Sequence, residues 1–334
     1  MTGTTIKTTE FSARMRERGI DLQGRRILLT QLKGSEQEKD LSEPANCNGF
    51  GRIRHFRFHS SEGWSDNPLP IFPALRAFGL GPTAEVRAQV FQNAVCNWRC
   101  WYCYVDFNRL SGDPRYSEFL SAAELVTLLH EANPDACMVD LSGGQPDLTP
   151  EWVPWIMLEL RKRGLERQYY LWSDDNLSND YFWRYLSHEE RDVLRSYPMY
   201  GRVGCFKGFD DRSFTFNTNA PGTEFLQQFE IFSRLLAEGL DLYAYVTFTT
   251  PFSDELAERM SKFCDLLQGV HSNLPLRTVP LKVAPFTPVR GRMKEAHERA
   301  ISLQQDAHAA WLDQLSRRFS QEERAASICD VAIR

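Results

Sequence analysis

From about residue 87 the chain alternates between short apolar, β-prone runs and longer stretches with apolar residues every three or four positions. The apolar runs are Val86–Val95, Cys137–Leu141, Tyr169–Trp172, Arg202–Phe206, Leu242–Thr249 and Thr278–Ala284. Six such strands joined by crossover helices predict a parallel sheet. The helices carry their own boundary signals. Ser121-Ala-Ala-Glu124 forms a capping-box pattern ahead of Leu125, Leu128 and Leu129, Thr149-Pro150 opens a helix that Gly164 stops, and Ser187-His-Glu-Glu190 opens a short one. Phe225, Phe229, Phe232 and Leu236 share one face of a helix ending near Gly239, as do Leu256, Met260, Phe263 and Leu267 before Gly269. Stripes of this kind are core. After Pro288 the pattern predicts one long helix through about Arg318, with Leu303, Ala307, Trp311 and Leu315 facing inward and packing across the open edge or bottom of the sheet.

Residues 1–85 read less regularly. They hold a charged start, a strand at Arg26–Leu32, a polar loop, and a basic run from Gly51 to Ser60 in which Arg52, Arg54, His55, Arg57 and His59 alternate with Ile53, Phe56 and Phe58. That run reads as an amphipathic strand with a solvated basic face, with cations laid beside a phosphate-bearing substrate as the alternative. The pattern divides the chain into an N-terminal extension (1–86) packing on the core, an α/β core (87–290) and a C-terminal helical segment (291–334).

With 334 residues and 42% hydrophobic content the chain can bury a large core. A net charge of −5 spread over both signs argues against bulk nucleic-acid or anionic-membrane binding. The first residues lack an apolar signal core and no stretch is long and apolar enough to span a bilayer, so the expected location is the cytoplasm. Of eight cysteines, three crowd into one stretch, Cys96-Asn-Trp-Arg-Cys100-Trp-Tyr-Cys103, a pattern of metal ligation rather than of a secreted disulfide framework. Iron–sulfur clusters are held by thiolates, usually four, so three ligands leave one iron open to a substrate.

In a parallel α/β sheet the loops at the C-terminal strand ends converge on one face. The first such loop carries Cys96, Cys100 and Cys103. The second is Ser142-Gly143-Gly144-Gln145-Pro146, whose paired glycines admit a close ligand, and the third is Ser173-Asp174-Asp175-Asn176, a set of short acceptors suited to ribose hydroxyls. The fourth holds Lys207-Gly208.

These residues resemble the radical S-adenosylmethionine (SAM) enzymes over roughly residues 87–290. The family signature is CxxxCxΦC with Φ aromatic, and Tyr102 stands at Φ. The resemblance implies a partial (β/α)6 barrel of parallel strands, one [4Fe-4S] cluster on the three cysteines, and SAM chelating the open iron. It places Gly143-Gly144-Gln145 where the family has Gly-Gly-Glu for the methionine amine, with Gln145 lacking the carboxylate's charge. Ser173, Asp174 and Asn176 fall near the ribose and Lys207 near the cofactor carboxylate. Within the family the pattern is similar to the pyruvate formate-lyase activating enzymes, although Cys205 replaces an aspartate there. A reductant such as flavodoxin or ferredoxin is then expected as a partner, and the implied activity is reductive SAM cleavage to a 5′-deoxyadenosyl radical that takes hydrogen from a small molecule, nucleotide or peptide. Activation of a glycyl-radical enzyme is the alternative. A zinc-stabilised or electron-transfer protein without catalysis is the rival from another class. Taken singly, the Gly-Gly-Gln stretch also suits a tight turn, the acidic run a helix cap, and Lys207 a solvated strand end.

Overall fold

Each of the six apolar runs folds as a parallel strand, because each is followed by a segment long enough to carry the chain back to the same end of the sheet. The structure, a computed structural model, describes residues 5–56, 58, 63–81 and 85–333. Its strands are β1 (Ile20–Asp21), β2 (Arg26–Thr30), β3 (Gly51–Phe56), β4 (Val86–Phe91), β5 (Ser117–Ser121), β6 (Met138–Leu141), β7 (Tyr170–Asp175), β8 (Tyr200–Phe206), β9 (Leu242–Thr247) and β10 (Thr278–Leu281). Seven form one sheet in the order β10-β9-β8-β7-β6-β4-β3. All neighbours pair parallel except β3, which is added antiparallel to β4. The protein is therefore α/β with a mostly parallel sheet. The strand expected at 26–32 belongs to a second, antiparallel sheet of β1, β2 and β5. In the basic run, β3 ends at Phe56, and Arg57 and His59 lie outside the described residues.

The helices are α1 (Thr8–Gly19), α2 (Ile71–Phe78), α3 (Ala122–Ala132), α4 (Trp152–Lys162), α5 (Tyr181–Tyr185), α6 (His188–Ser196), α7 (Asp211–Thr218), α8 (Phe225–Ala237), α9 (Leu256–Val270), α10 (Thr287–Arg290), α11 (Glu295–Arg318) and α12 (Gln321–Ala325). The capping boxes at Ser121 and Ser187 are both formed. The long C-terminal helix starts later than expected: a short turn, α10, precedes a break, and α11 begins at Glu295. Ala307 and Trp311 face inward together with Gln304, His308 and Gln314. Trp311 packs on Phe248 and Phe263 with ring centroids 5.6 and 6.0 Å apart. Gln304 exchanges hydrogen bonds with the backbone of Val283, just beyond edge strand β10, at 2.9 and 3.0 Å. Among the described residues no helix is long and apolar enough to cross a membrane.

Strand register assigns each side chain to one of two sheet faces, since alternate residues point to opposite sides. Phe206 lies on the face packed by helices, against Phe229 and Phe232 of α8 and Phe263 of α9. The opposite, interior face carries Arg52 opposite Val90, then Asp140, then Trp172, and, by the same parity, Arg54, Asp174, Cys205 and Tyr245. The Tyr245 hydroxyl donates to the carbonyl of Leu69 at 3.0 Å, so the segment before α2 closes one end of this interior.

His55 fastens edge strand β3, with Nε2 2.6 Å from Glu43 Oε1 and Nδ1 against Glu85. Hydrogen bonding to Glu43, then to Glu85, raises the imidazole pKa above its ordinary value. A raised histidine pKa gives stability that is complete below the unfolded value and is lost as pH rises through the folded one. His55→Gln is therefore expected to lower stability at about pH 5.5, by no more than about 1 kcal/mol for so exposed a bridge, with the gap to wild type narrowing as pH rises. Paired thermal melts over that rise in pH test this, and a gap that widens with pH contradicts it.

Candidate functional site

The loop leaving β4 carries Cys96, Cys100 and Cys103 as free thiols, the first buried and the other two partly exposed. Their positions are set by buried side chains around them. Asn97 donates to Ser12 and Ser178 at 2.9 and 2.7 Å, and its oxygen accepts from Asn176 at 3.0 Å. The Trp98 indole donates to Thr8 at 3.1 Å, and its ring meets Phe214 edge-on. Backbone N–H groups of Arg99 and Trp101 donate to the carbonyls of Thr218 and Asn217 in the last turn of α7.

Asn217 is fully buried and uses its whole side chain. Its oxygen accepts from the Trp101 indole at 3.0 Å and from the Thr249 hydroxyl at 2.8 Å. Its nitrogen donates to the carbonyls of Lys207 and Thr249 at 2.8 and 3.1 Å. One amide thus ties the cysteine loop to the ends of β8 and β9. The Tyr102 hydroxyl adds a further tie, accepting from Thr247 at 3.1 Å.

Gly143 and Gly144 both take positive φ, +83° and +63°. A Cβ on Gly144 would stand 2.4 Å from the carbonyl oxygen of Asn93 and 2.6 Å from that of Val95. The glycines let this turn press against the backbone entering Cys96, and the Gln145 N–H donates to the Val95 carbonyl at 2.8 Å. The Gln145 side chain is spent on the protein: its nitrogen donates to Asp175 at 2.7 Å and its oxygen accepts the Asn176 N–H at 2.9 Å. Asp175 also takes Arg202 at 2.9 Å, and Arg202 in turn pairs with Asp147, all buried. A glutamate at 145 would set two carboxylates against each other, so Asp175 accounts for the amide.

Residues 173–175 lie in strand β7 rather than in a loop, which sends them to alternate faces. Ser173 is on the helix side, hydrogen-bonded to the Tyr200 hydroxyl at 2.8 Å. Asp174 is on the interior face and partly accessible. Asn176 follows the strand, with its side-chain oxygen buried and unpartnered. The structure therefore brings together the three cysteines, Tyr102, Gly143, Gly144, Asn176, Lys207 and Asp174, while Gln145 and Ser173 are committed elsewhere.

Three cations surround the thiols. Arg99 interacts electrostatically with all three, Lys207 with Cys100 and Cys103, and Arg292 with Cys103 and Cys100. Burial pushes the Cys100 thiol up to about 12 against the pull of Lys207, and burial likewise raises Cys103. Burial also opposes the charge on Lys207, but Cys205, Tyr102, Cys100 and Asp174 around it more than offset this and keep it protonated. Such surroundings favour a group that carries net negative charge on its sulfurs. Among the described residues no group of three or more His, Cys, Asp or Glu side chains is arranged to hold a metal ion.

Asn217, Arg99 and Arg292 were not singled out by the sequence. A polar, weak helix former one residue before Thr218 was a signal for Asn217; Arg292 is distant in sequence and left none. Asp106 and Arg109 bind the N-terminal segment, at the Glu36 N–H and the Gln31 carbonyl.

Asn217→Ala leaves the Trp101 indole and two carbonyls unpaired, and is expected to cost about 2–4 kcal/mol in urea unfolding. Gln145→Glu is expected to cost a similar amount, about 2–4 kcal/mol at neutral pH, and less as the solution is acidified and one carboxyl is protonated. Unfolding midpoints within error of wild type would contradict either assignment.

No family model matches the sequence, and no curated protein matches it. Among solved structures the chain is similar to Streptococcus suis SuiB bound to precursor peptide SuiA, at TM-score 0.46 and 10% identity, over 69% of this chain and 46% of that one. It is similar to SuiB bound to S-adenosylmethionine at TM-score 0.38 and 10% identity, over 54% and 37%. It is also similar to hexahistidine-tagged anSMEcpe with bound AdoMet at TM-score 0.34 and 13% identity, over 57% and 61%. The chain thus spans less than half the length of SuiB.

Proposed function

We propose that the protein is a radical SAM enzyme whose six parallel strands form a partial (β/α)6 barrel and whose three cysteines hold one [4Fe-4S] cluster. The observation that carries this reading is the set of three free thiols on one loop, ringed by Arg99, Lys207 and Arg292, at the C-terminal ends of the strands. The donor set suits the group, since thiolates are the ligands iron–sulfur clusters take and the cations offset their charge. Cys96, Cys100 and Cys103 would be its ligands.

SAM would lie beside them. Lys207, kept cationic, would hold the cofactor carboxylate, backbone groups of Gly143 and Gly144 would take the methionine amine, and the free oxygen of Asn176 would accept from a ribose hydroxyl. Gln145 acts one step away, by holding Asn176 and Asp175. The bound groups would supply one-electron cleavage of the S–C5′ bond, giving methionine and a 5′-deoxyadenosyl radical that takes a hydrogen atom from substrate. The protein's part is positioning and exclusion of water. Trp98 and Trp101 seal the loop from behind, and the Tyr102 hydrogen bond to Thr247 fixes the aromatic ring between two of the ligands. A one-electron donor such as flavodoxin or ferredoxin would serve as partner.

Anaerobic reconstitution is expected to load about four iron per chain and to give dithionite-dependent methionine and 5′-deoxyadenosine from SAM. Cys100→Ala is expected to lose the cluster's visible absorption and at least about a hundredfold in SAM cleavage. Cluster-loaded protein that releases neither product defeats the enzyme reading, and a Cys100→Ala variant with full iron defeats the ligand assignment. Zinc retained in place of iron would select the structural rival.

A further inference from the structure

The interior face of the sheet carries charges that the chemistry above does not use. Asp140 of β6 is 2% exposed, and one of its carboxylate oxygens has no hydrogen-bond partner. Asp174 of β7 is its neighbour on that face, close enough for the two carboxylates to oppose each other's ionisation. Arg54 of β3 acts on both of them electrostatically. Arg52, 9% exposed, reaches the Tyr104 hydroxyl at 3.3 Å and keeps an unpartnered Nε. Arg54 is exposed, and among the described residues none of Arg54, Asp140 and Asp174 forms an ion pair. A buried carboxylate oxygen on Asp140 and a buried guanidinium nitrogen on Arg52 left without partners are costly, and a ligand that met them would offset that cost.

We propose that this face is a binding site for a small zwitterion of the amino-acid class, with its protonated amine between Asp140 and Asp174 and its anionic group on the exposed Arg54. An ammonium placed between the two aspartates lets both ionise, and a carboxylate meets the planar fork of a guanidinium on two donors. Lys207 interacts electrostatically with both Asp174 and Cys100, which would set the ligand next to the reacting cofactor. The segment before α2 reaches this face through the Tyr245 hydroxyl, which donates to the Leu69 carbonyl. In this sense the inference rests on the radical SAM reading for its chemistry, but not for its binding.

The test uses the reconstituted, SAM-loaded protein under anaerobic conditions and saturation-transfer NMR with three probes: an equimolar mixture of the twenty free proteinogenic amino acids, n-butylamine, and butyrate. Wild type is expected to bind one or more amino acids, and both Asp140→Asn and Arg54→Gln to weaken that binding at least about tenfold, with butylamine lost only in the aspartate variant. Because one oxygen of buried Asp140 has no partner, ligand-free Asp140→Asn is expected to melt about 2 °C or more above wild type, whereas a structural aspartate would melt lower on replacement. No amino-acid binding by wild type, or a lower Tm for Asp140→Asn, overturns the proposal. An equal loss of SAM affinity and amine binding in Asp140→Asn also overturns it, because the pair would then belong to the cofactor. Wild-type 5′-deoxyadenosine formation, measured on the same sample, reports on the radical reading separately, since amino-acid binding needs no reductant.

Discussion

The position of the three cysteines depends on Asn217. A loop rich in backbone polar groups cannot sit deep in a protein unless those groups are satisfied, and here the satisfaction comes from the last turn of α7. Asn217 contributes two donors and two acceptor positions, and each is used: on the Trp101 indole, on Thr249, and on the carbonyls that end β8 and β9. The loop therefore moves only if the two strand ends move with it. Lys207 is the residue whose carbonyl Asn217 holds, so the same amide that places the thiols places the cation facing them.

The two faces of the sheet follow opposite rules. On the helix side the buried charges are matched: Arg202 lies between Asp147 and Asp175, and Gln145 uses both ends of its amide. On the interior side Asp140 and Arg52 are buried with a side-chain atom left unpartnered on each. The difference is not one of composition, since aspartate and arginine occur on both. It is one of parity along β7, where Asp174 and Asp175 are adjacent and point apart, Asp175 into a closed network and Asp174 onto the interior face. Buried networks that are complete rigidify a fold, and a buried polar group left without a partner is costly.

Much of this organisation was legible beforehand, for identifiable reasons. The six parallel strands announced themselves as apolar runs because both their faces are covered, and the capping boxes at Ser121 and Ser187 marked helix starts by local chemistry alone. The cysteine spacing and the paired glycines were visible because they act through adjacent residues. What stayed hidden acts at a distance. The acidic run at 173–175 looked like a loop because serine and aspartate are poor strand formers, yet pairing with β6 and β8 on either side holds it extended. The partners of β2 and the ring formed by Arg99 and Arg292 likewise come from residues far apart in the chain.

The N-terminal segment gains a role from the same accounting. Thr8 and Ser12 of α1 accept from Trp98 and Asn97, the two residues that follow Cys96, and Arg16 of the same helix holds the Leu148 carbonyl at 3.0 Å just beyond the Gly-Gly-Gln turn. One helix therefore touches both loops that would meet the cofactor. Arg16 is also buried against Glu151, so α1 is anchored by a charge that would be stranded if the helix lifted away. Its contacts reach the residues between the cysteines, not the cysteines themselves. That division leaves the thiols free while fixing the backbone that presents them, which is what a site needs if it must accept a bulky group into a prepared frame.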